Sequence, residues 1–403
     1  MKILLLFHHL RYPDDSGGQR SREVAEALSA KGHEVVAFVP NVDPLTAKRE
    51  FSGLGALWKR CGRGTAYEEF RYWVPGTARK GIFGRFIYGM AASAVAMLFA
   101  TVRRNDFDWV AVCSHPLPIS FSAFPCVLFG NARLLVEIRD VPADVAVERG
   151  LIKRDGFVYG FYKRVERFLV RRADHVIAYT FGMAQYVGLG GESSREFSVI
   201  PIGVDRRYKE TRRMKGFGGI VRVCFFGTLG KVLDLSSVLL AFKELQSYGV
   251  PAQFDIYGSG ENESFLREEA AKMGLPVNFC GAVPRSKVTQ LCSSYDFAVY
   301  PVCGGPALSA SLGNKFFDYL AARVPMIVVG SDSEAGRIVR EYKVGFSVDS
   351  SQALASQLAQ YYQNGEEGDA LVDTGDNFER ILLEFDKEKL LSRWCSVVED
   401  RCE

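Results

Sequence analysis

The sequence predicts an α/β protein made of two consecutive domains, each with a parallel β-sheet covered by helices. The chain has 403 residues, which favours two hydrophobic cores of roughly 200 residues each over a single one. Short apolar runs alternate with amphipathic stretches of helical spacing, the pattern of βαβ units. This alternation begins again after Asp205, so that the two halves of the chain look alike.

The first half opens with a strand–loop–helix–strand unit. A buried strand is predicted at Lys2–Phe7, a helix at Gln19–Ala30 and a second strand at His33–Val39, with a polar, glycine-rich loop before the helix. The apolar start is interpreted as a strand and not as a signal peptide, because no small-residue cleavage site follows it. Further strands are predicted at Trp109–Cys113, Arg133–Ile138 and His175–Tyr179.

The second half repeats this organisation. Strands are predicted at Arg222–Phe226, Ala252–Tyr257, Phe297–Tyr300 and Met326–Val329, and helices at Asp234–Leu245, Glu261–Met273 and Asn314–Ala322. The polar segment 206–219 is the predicted linker. The domains are therefore placed at 1–205 and 206–384, and a terminal helix of about 385–403, within a helical stretch from Asn377, is expected to pack back on the first. Ligands of such sheets bind at the carboxyl ends of the strands, which predicts a site in the cleft between the domains.

Charge is unevenly divided along the chain, although the formal net charge is only +3. Residues 1–205 contain 27 Lys and Arg against 21 Asp and Glu, a balance of +6, and the remainder contains 23 against 26, a balance of −3. The basic half suggests contact with an anionic surface. The nine cysteines show no metal-ligand spacing and are interpreted as buried free thiols.

Three glycine-containing loops follow predicted strands: Ser16-Gly17-Gly18, Gly227 to Lys231, and Gly258-Ser259-Gly260. Glycines let a backbone approach a ligand closely, and the N–H groups at a following helix start attract anions. The same residues also suit a tight turn chosen for packing, so both interpretations stay open. None of the loops reads GxGxxG, which disfavours a nicotinamide oxidoreductase.

A cation stands at an unusual place in the stretch 301–329. Lys315 is in the first turn of a predicted helix that begins near Asn314, where the helix dipole is already positive. A bound anion would resolve that conflict. Asp318 is one turn further on, beside the same loop, where its carboxylate suits a ribose hydroxyl.

The order and spacing of ten segments resemble retaining glycosyltransferases of family 4 with the GT-B fold, in which two Rossmann-like domains face an interdomain cleft. Within that family the chain is similar to the bacterial branch that builds capsule, O-antigen and exopolysaccharide, including N-acetylfucosamine transferase-like proteins. The segments are YPDDSGGQRSREVAEALSAKGHEV, CSHPLPIS, EIRDVPADVAVERGLI, RRADHVIAYT, SVIPIGVD, FFGTLGK, FDIYGSGE, VNFCGAVPRSKV, YDFAVYPV and NKFFDYLAARVPMIVV.

The resemblance implies a role for each matching position. Gly17 and Gly18 would approach the donor phosphates, Lys231 and Lys315 would neutralise the diphosphate, and Asp318 would hold the ribose. Arg139 and Asp140 would face the transferred sugar or the acceptor. The remaining expected donor-binding residues are Thr228, Gly258, Ala282, Val283 and Asn314.

Four positions depart from the family pattern. Many relatives carry two glutamates eight positions apart, where this chain has Ala310 and Asp318. Thr228 replaces a common arginine, and Ile202 replaces asparagine in the IGVD turn. These changes bear on which residues touch the donor sugar.

The expected reaction transfers a sugar from a nucleoside diphosphate, UDP by preference or GDP, to a lipid-linked or oligosaccharide acceptor. Lysines and backbone amides would stabilise the leaving group without a metal or another cofactor. With no nucleophile evident, attack from the same face as the departing phosphate is the expected route to retention. The alternatives are a sugar-nucleotide epimerase or a phosphorylase on the same fold, and a non-catalytic partner in a polysaccharide assembly complex.

Two stretches of the first half suggest contact with a membrane. Residues 86–102 are 17 uncharged residues between arginines. They are compatible with a packed core helix or an interfacial helix, and least compatible with a helix that spans the membrane. In 160–172 the residues Phe161, Val165, Phe168 and Leu169 share a face, and packing of this face in the core is preferred. The opposite residues are Lys163, Arg164, Arg167, Arg171 and Arg172.

Together with the basic first half, these stretches predict a protein of the bacterial cytoplasm that docks on the anionic inner face of the membrane. An isoprenoid-diphosphate-linked saccharide is the expected acceptor. Nucleic acid is not an expected partner, because no binding-module signature is present.

Overall fold

The structure, a computed structural model, describes residues 1–11, 19–42, 49, 51, 57–61, 66–75, 81–191, 196–205, 219–230, 233–302, 305–364 and 375–400, with the backbone alone at 81–83, 85 and 86. Among the expected site residues, Gly17, Gly18 and Lys231 lie outside these ranges, as does most of the expected linker. The chain divides into two compact units, Met1–Pro201 with Lys389–Glu403, and Ile202–Glu388.

The first unit contains one mixed sheet whose strands run in the order β3-β4-β2-β1-β5-β6-β7-β8. All neighbours pair in parallel except β3 and β4, an antiparallel pair at the edge. The central strands are buried along their whole length, which explains their unbroken apolar sequences. The strands are β1 Lys2–Leu6, β2 Glu34–Pro40, β3 Trp58–Arg60, β4 Glu68–Tyr72, β5 Trp109–Cys113, β6 Arg133–Ile138, β7 His175–Ala178 and β8 Phe197–Val199.

Helices cover both faces of this sheet. They are α1 Arg20–Ala30, α2 Gly81–Val102, α3 Leu117–Ser120, α4 Phe124–Leu128, α5 Pro142–Glu148, α6 Phe157–Arg172 and α7 Phe181–Tyr186, with a 3₁₀ turn at Phe121–Ala123. The helix α1 packs on the sheet through Val24, Ala25 and Leu28, which share one core cluster with Ile3 and Leu5.

The second unit contains a fully parallel sheet in the order β11-β10-β9-β12-β13-β14. Its strands are β9 Val221–Phe226, β10 Ala252–Tyr257, β11 Val277–Gly281, β12 Phe297–Pro301, β13 Met326–Val329 and β14 Gly345–Val348. Its helices are α8 Leu235–Ser247, α9 Glu263–Met273, α10 Arg285–Cys292, α11 Pro306–Ser309, α12 Asn314–Ala321, α13 Glu334–Tyr342, α14 Ser351–Asn364 and α15 Asp376–Glu384. Two apolar clusters, one on each face of the sheet, form its core.

The boundary between the units lies four residues before the expected position after Asp205. The Val204 N–H donates to the Phe385 carbonyl at 2.7 Å, and the Lys387 N–H donates to the Val204 carbonyl at 3.0 Å. These bonds attach residues 202–205 to the second unit. They also interrupt the helix expected from Asn377 onward, which is in fact α15 followed by α16, Lys387–Glu399.

The last helix, α16, belongs with the first unit. Leu390, Trp394 and Val398 are buried in the cluster that contains Ile3 and Leu5. At the end of the helix, Glu399 accepts hydrogen bonds from Lys31 at 2.9 Å and contacts His33 at 3.1 Å. The two ends of the chain thus form one core.

The preferred packing of α6 is right only in part. Of the expected apolar face, Leu169 is buried and Val165 half-buried, but Phe161 and Phe168 are 56% and 48% exposed. Lys163 and Glu166 point into the protein, with 4% and 1% of their surface exposed, and the arginines of the helix stay exposed. The Lys163 ammonium donates to Asp144 at 3.0 Å, to the Tyr186 carbonyl at 2.9 Å and to Glu166. A buried charge is tolerated when it is paired and hydrogen-bonded, and this cluster draws two charged residues of the helix inward.

The stretch 86–102 has two apolar sides. Tyr88, Ala92, Ala96 and Phe99 are buried, and Phe99 stacks on Phe38 of β2 with ring centroids 3.9 Å apart. The opposite side exposes Ile87, Met90, Met97, Leu98 and Val102. Within the described residues, no helix has the length and apolar character needed to cross a bilayer.

Replacing Lys163 by Met should lower the free energy of unfolding by about 3–5 kcal/mol, because it leaves Asp144 and Glu166 buried without their cation. Burial already raises the pKa of Glu166 against the charge of Lys163, so folding favours its protonated form. The loss should therefore be smaller at pH 5 than at pH 8. Urea unfolding at both pH values measures it. Arg164→Met, on the exposed side of α6, is the control and should change stability by less than about 0.5 kcal/mol; equal losses in the two variants would contradict the buried ion cluster.

Candidate active site

The carboxyl edge of the second sheet brings together most of the residues expected to bind a donor. Two loops follow β9 and β10 and are joined backbone to backbone, since the Leu229 N–H donates to the Ser259 carbonyl and the Gly227 N–H to the Tyr257 carbonyl. The Gly258 N–H donates to the Gly281 carbonyl at 2.8 Å, which attaches the end of β11. Exposed Thr228 and Ala282 and half-buried Val283 therefore lie along one edge.

The glycines of these loops have a packing role. A Cβ on Gly258 would lie 1.8 Å from the Gly227 carbonyl oxygen, and one on Gly260 would lie 2.3 Å from the Leu229 carbonyl oxygen. Gly258 also has a φ of +153°. Of the two interpretations left open by the sequence, tight packing thus explains Gly258 and Gly260, and ligand contact by their backbone stays a prediction.

Lys315 approaches this edge from the first turn of α12. Its Nζ lies 4.6 Å from the ring centre of Phe225 and 5.9 Å from that of Tyr300, and it would stand 3.2 Å from a Cβ on Gly227. No hydrogen bond or carboxylate partner of the ammonium exists within the described part of the chain. Burial lowers the pKa of Lys315 to about 8, so the aromatic faces only partly offset the cost of its charge.

The start of α12 is fixed by two tyrosines. The Tyr300 hydroxyl accepts a hydrogen bond from the Gly313 N–H at 2.9 Å, just before Asn314. The Tyr319 hydroxyl accepts from the Phe226 N–H at 2.9 Å and so ties α12 to the end of β9. The first turn carries no acidic residue and no side-chain cap. Its positive end, next to Lys315, therefore favours an anion.

Asp318 has a partner that the sequence did not predict. Arg285, at the start of α10, donates to its carboxylate at 3.0 Å, and the Asp318 side chain keeps 18% of its surface exposed. Burial raises the pKa of Asp318, and Arg285 and Lys387 oppose that shift. Nothing in the spacing of the segment VPRSKV singled out Arg285. Its helix, α10, contacts α12 only in the folded protein.

In the first unit, Arg139 and Asp140 follow β6 at the carboxyl edge of its sheet. The Arg139 guanidinium donates to Glu137 at 2.8 and 2.6 Å and to the Ser21 hydroxyl at 2.9 Å. The Asp140 side chain is exposed to solvent. The protein atoms around its carboxyl nevertheless reduce its hydration, and this burial raises the pKa of Asp140 to about 6, although the charge of Arg139 opposes the shift. Glu137 itself is fully buried and is a further residue that the sequence did not single out.

Three histidines occupy the same edge, after β1 and β5. His8 Nε2 and His9 Nδ1 are 2.7 Å apart, and the rings of His8 and His115 are 6.4 Å apart. Burial, then the charges of its histidine neighbours, hold the pKa of His8 well below its usual range, so its ring is neutral at pH 7. In the described ranges, no group of three His, Cys, Asp or Glu side chains is arranged to hold a metal ion.

Comparison with known proteins identifies the class. The family described as Glycosyltransferase Family 4 matches residues 17–208, and the family described as Glycosyl transferases group 1 matches residues 221–364. The fold agrees, because the whole chain superimposes on two-domain structures of this kind. Each half of the chain matches a glycosyltransferase family. The chain therefore belongs to the GT-B glycosyltransferases.

Similar solved structures cover nearly the entire chain at low identity. A sucrose-phosphate synthase from Thermosynechococcus elongatus has a TM-score of 0.70 and 15% identity over 99% of this chain and 98% of its own. WaaG, a glycosyltransferase involved in lipopolysaccharide biosynthesis, has a TM-score of 0.66 and 14% identity over 99% of both chains. The pneumococcal O-GlcNAc transferase GtfA, in complex with UDP and GlcNAc, has 0.62 and 14% over 99% of both. A search of curated proteins found no significant match.

Replacing Gly258 by Ala should lower the free energy of unfolding of the second unit by about 3 kcal/mol, because the new methyl group collides with the Gly227 carbonyl. Gly249→Ala is a matched control, since Gly249 has a φ of +69° but no atom within 4 Å of an added Cβ. It should cost only about 1 kcal/mol, from its backbone conformation alone. Chemical denaturation followed by fluorescence compares them; equal costs would refute the close contact between the two loops.

Proposed function

We propose that this glycosyltransferase moves a sugar from a nucleoside diphosphate, UDP in preference to GDP, to an isoprenoid-diphosphate-linked saccharide with retention of configuration. The setting is the synthesis of a bacterial capsule, O-antigen or exopolysaccharide, in the branch that includes N-acetylfucosamine transferase-like proteins. The similarity to WaaG, a glycosyltransferase involved in lipopolysaccharide biosynthesis, supports a surface-polysaccharide role, and the similarity to GtfA in complex with UDP supports a uridine donor.

Lys315 is the observation that carries the donor site. A half-buried ammonium at the positive end of a helix, next to aromatic rings and without a carboxylate partner among the described residues, is a costly arrangement unless an anion is bound. A diphosphate bound at this edge offsets that cost, and it raises the pKa of Lys315 again because the cation gains a partner. Leaving-group stabilisation of this kind acts without a metal or another cofactor.

The neighbouring residues receive roles that fit their positions. Asp318, oriented by Arg285, holds the ribose hydroxyls, and the backbone at Ala282 and Val283 contacts the base. Thr228, Gly258 and Asn314 border the diphosphate. Gly17, Gly18 and Lys231 lie outside the described residues, and their contact with the donor phosphates is proposed from the resemblance alone. The Arg139 guanidinium already donates to Glu137 and to Ser21, so we assign Arg139 a positioning role. We propose that Asp140 faces the sugar or the acceptor.

The proposed chemistry follows from this placement. The acceptor hydroxyl attacks the anomeric carbon on the face that the diphosphate leaves, and the departing phosphate oxygen takes the hydroxyl proton. One glycosidic bond forms and the bond to the nucleoside diphosphate breaks. Lys315 and the start of α12 stabilise the negative charge that develops on the leaving oxygen.

Lys315→Met should weaken UDP binding by about 10- to 100-fold, the effect of losing one charge-assisted hydrogen bond. In the parent protein, UDP affinity should fall as the pH rises above 8, because a pKa of about 8 means that Lys315 is then losing its proton. The variant should show no such fall. Titration calorimetry between pH 6.5 and 9.5, after a thermal-shift screen of UDP, GDP, ADP, CMP and dTDP, measures both effects.

Lys272→Met, an exposed lysine of α9, is the matched control and should bind UDP like the parent. Unchanged binding in Lys315→Met would remove this lysine from the site. The parent should also bind UDP equally well in EDTA; dependence on a divalent cation would contradict the metal-free proposal.

We further propose that the first unit docks on the anionic inner leaflet of the bacterial cytoplasmic membrane, where the acceptor resides. The exposed side of α6 combines Phe157, Phe161 and Phe168, 84%, 56% and 48% exposed, with exposed Arg164 and Arg171. Phe168 contacts Phe124 of α4, and α4 packs against α2. The apolar side of α2 and Phe129, 74% exposed, therefore continue the same surface.

The distribution of charge on this surface supports an anionic membrane as its partner. Aromatic side chains interspersed with arginines match a bilayer interface of apolar chains and anionic headgroups. The buried Lys163 cluster keeps the aromatic side of α6 outward, so this exposure is built into the fold.

The double variant Phe157→Ser/Phe161→Ser should lose most of the binding to vesicles of phosphatidylglycerol and phosphatidylethanolamine, while UDP binding stays intact. Binding of the parent should weaken as salt rises from 50 to 500 mM on the order of tenfold or more. Vesicle co-sedimentation measures this. Phe265→Ser, a 50% exposed phenylalanine of α9 in the second unit, is the control and should bind like the parent; a parent that dimerises through this surface and ignores vesicles would contradict docking.

A further inference from the structure

Arg20, the first residue of α1, is buried with an unused part of its guanidinium. It is 4% exposed, and its Nη1 and Nη2 atoms have no hydrogen-bond partner in the described ranges. Only Nε contacts an acceptor, the Glu137 carboxylate at 3.4 Å, and the guanidinium carbon lies 5.8 Å from the ring centre of Tyr179. Two donors on a permanently charged group are thus withdrawn from water and left without an acceptor.

The one carboxylate that Arg20 contacts is shared with a second arginine. Arg139 donates to Glu137 at 2.8 and 2.6 Å, much closer than Arg20 does at 3.4 Å. Burial alone would raise the pKa of Glu137, but Arg139 and Arg20 hold it below its usual range, so it is ionised. Arg139 also lies near the Asp140 carboxyl, so the guanidinium of Arg20 is the less well compensated of the two. A buried charge without a partner is strongly unfavourable unless a ligand supplies one.

The position of the cluster matches a ligand site. Arg20 begins an 11-residue helix whose N-cap, Gln19, makes no side-chain cap, so the positive helix end adds to the guanidinium charge. Glu137 lies near the end of β6, and Tyr179 directly follows β7, both at the carboxyl edge of the first sheet. Ligands of open parallel sheets bind at that edge.

We infer that Arg20 is a phosphate-binding residue that holds two oxygens of a substrate phosphate through Nη1 and Nη2, while Glu137 orients it from behind. The two parallel N–H groups of a guanidinium match two phosphate oxygens, and the added anion supplies the partner that the Nη atoms of Arg20 lack among the described residues. The inference rests on the proposed function only for the source of the phosphate, which is the diphosphate of either the sugar donor or the lipid-linked acceptor.

Three probes separate the sources: inorganic pyrophosphate, UDP, and an isoprenyl diphosphate of three isoprene units. Calorimetric titration of the full chain should show that Arg20→Gln binds at least one diphosphate tenfold or more weakly than the parent. Arg20→Lys should be intermediate, because an ammonium keeps the charge and loses the paired contact. Loss with UDP assigns Arg20 to the donor, and loss with the isoprenyl diphosphate assigns it to the acceptor.

The matched control is Arg133→Gln, which removes the same charge from the exposed amino end of β6 and should leave all three affinities unchanged. Stability without ligand separates a binding role from a structural one. Because its Nη atoms have no hydrogen-bond partner in the described part of the chain, Arg20→Gln should melt at the same temperature as the parent or higher, and it should gain less from added diphosphate. A structural arginine would instead lower the melting temperature.

Arg20→Gln that binds all three probes like the parent would overturn the inference, and so would a parent that binds none of them. These outcomes differ from failure of the proposed function. If UDP binding depends on Lys315 and not on Arg20, the donor site stands and this inference fails. If pyrophosphate binding depends on Arg20 but no nucleotide binds, the inference stands and the proposed donor fails.

Discussion

The close approach of two backbone segments at the carboxyl edge of the second sheet is the constraint on which the candidate site depends. The loops after β9 and β10 are close enough that a single methyl group on Gly258 would overlap the Gly227 carbonyl. Because Gly227 has no side chain, the Lys315 ammonium can pack against its backbone. The hydrogen bonds between the loops also align the ends of β9, β10 and β11. A larger residue at Gly258 would separate the strand ends that are proposed to hold one diphosphate.

Both units bury positive charge at the carboxyl edges of their sheets, and in each one a cation lacks a full set of partners among the described residues. In the second unit, the Lys315 ammonium lies over the rings of Phe225 and Tyr300 and has no carboxylate partner there. In the first unit, Arg20 and Arg139 share Glu137. Such charge costs stability in the empty protein, and a phosphorylated ligand offsets that cost. Substrate binding and folding stability are therefore linked at the same residues.

The first unit uses buried charge in a second way. Asp144, Lys163 and Glu166 form an ion cluster inside the protein, and the aromatic residues of α6 face outward as a consequence. Hydrophobic spacing alone placed Phe161 and Phe168 in the core and Lys163 at the surface, because it assumes that charged side chains seek water. Here three hydrogen bonds compensate the burial of one ammonium, and the helix rotates accordingly.

The sequence alone determined the fold class, the two βαβ halves and the place of the strand ends, because buried parallel strands leave continuous apolar runs that need no tertiary information. It also singled out Lys315, whose position conflicts with the dipole of its own helix. Only the tertiary structure decided the pairing of Arg285 with Asp318, the Arg20–Glu137–Arg139 cluster and the orientation of α6. Each of these joins residues of different elements, and the spacing along one element carries no information about a partner on another.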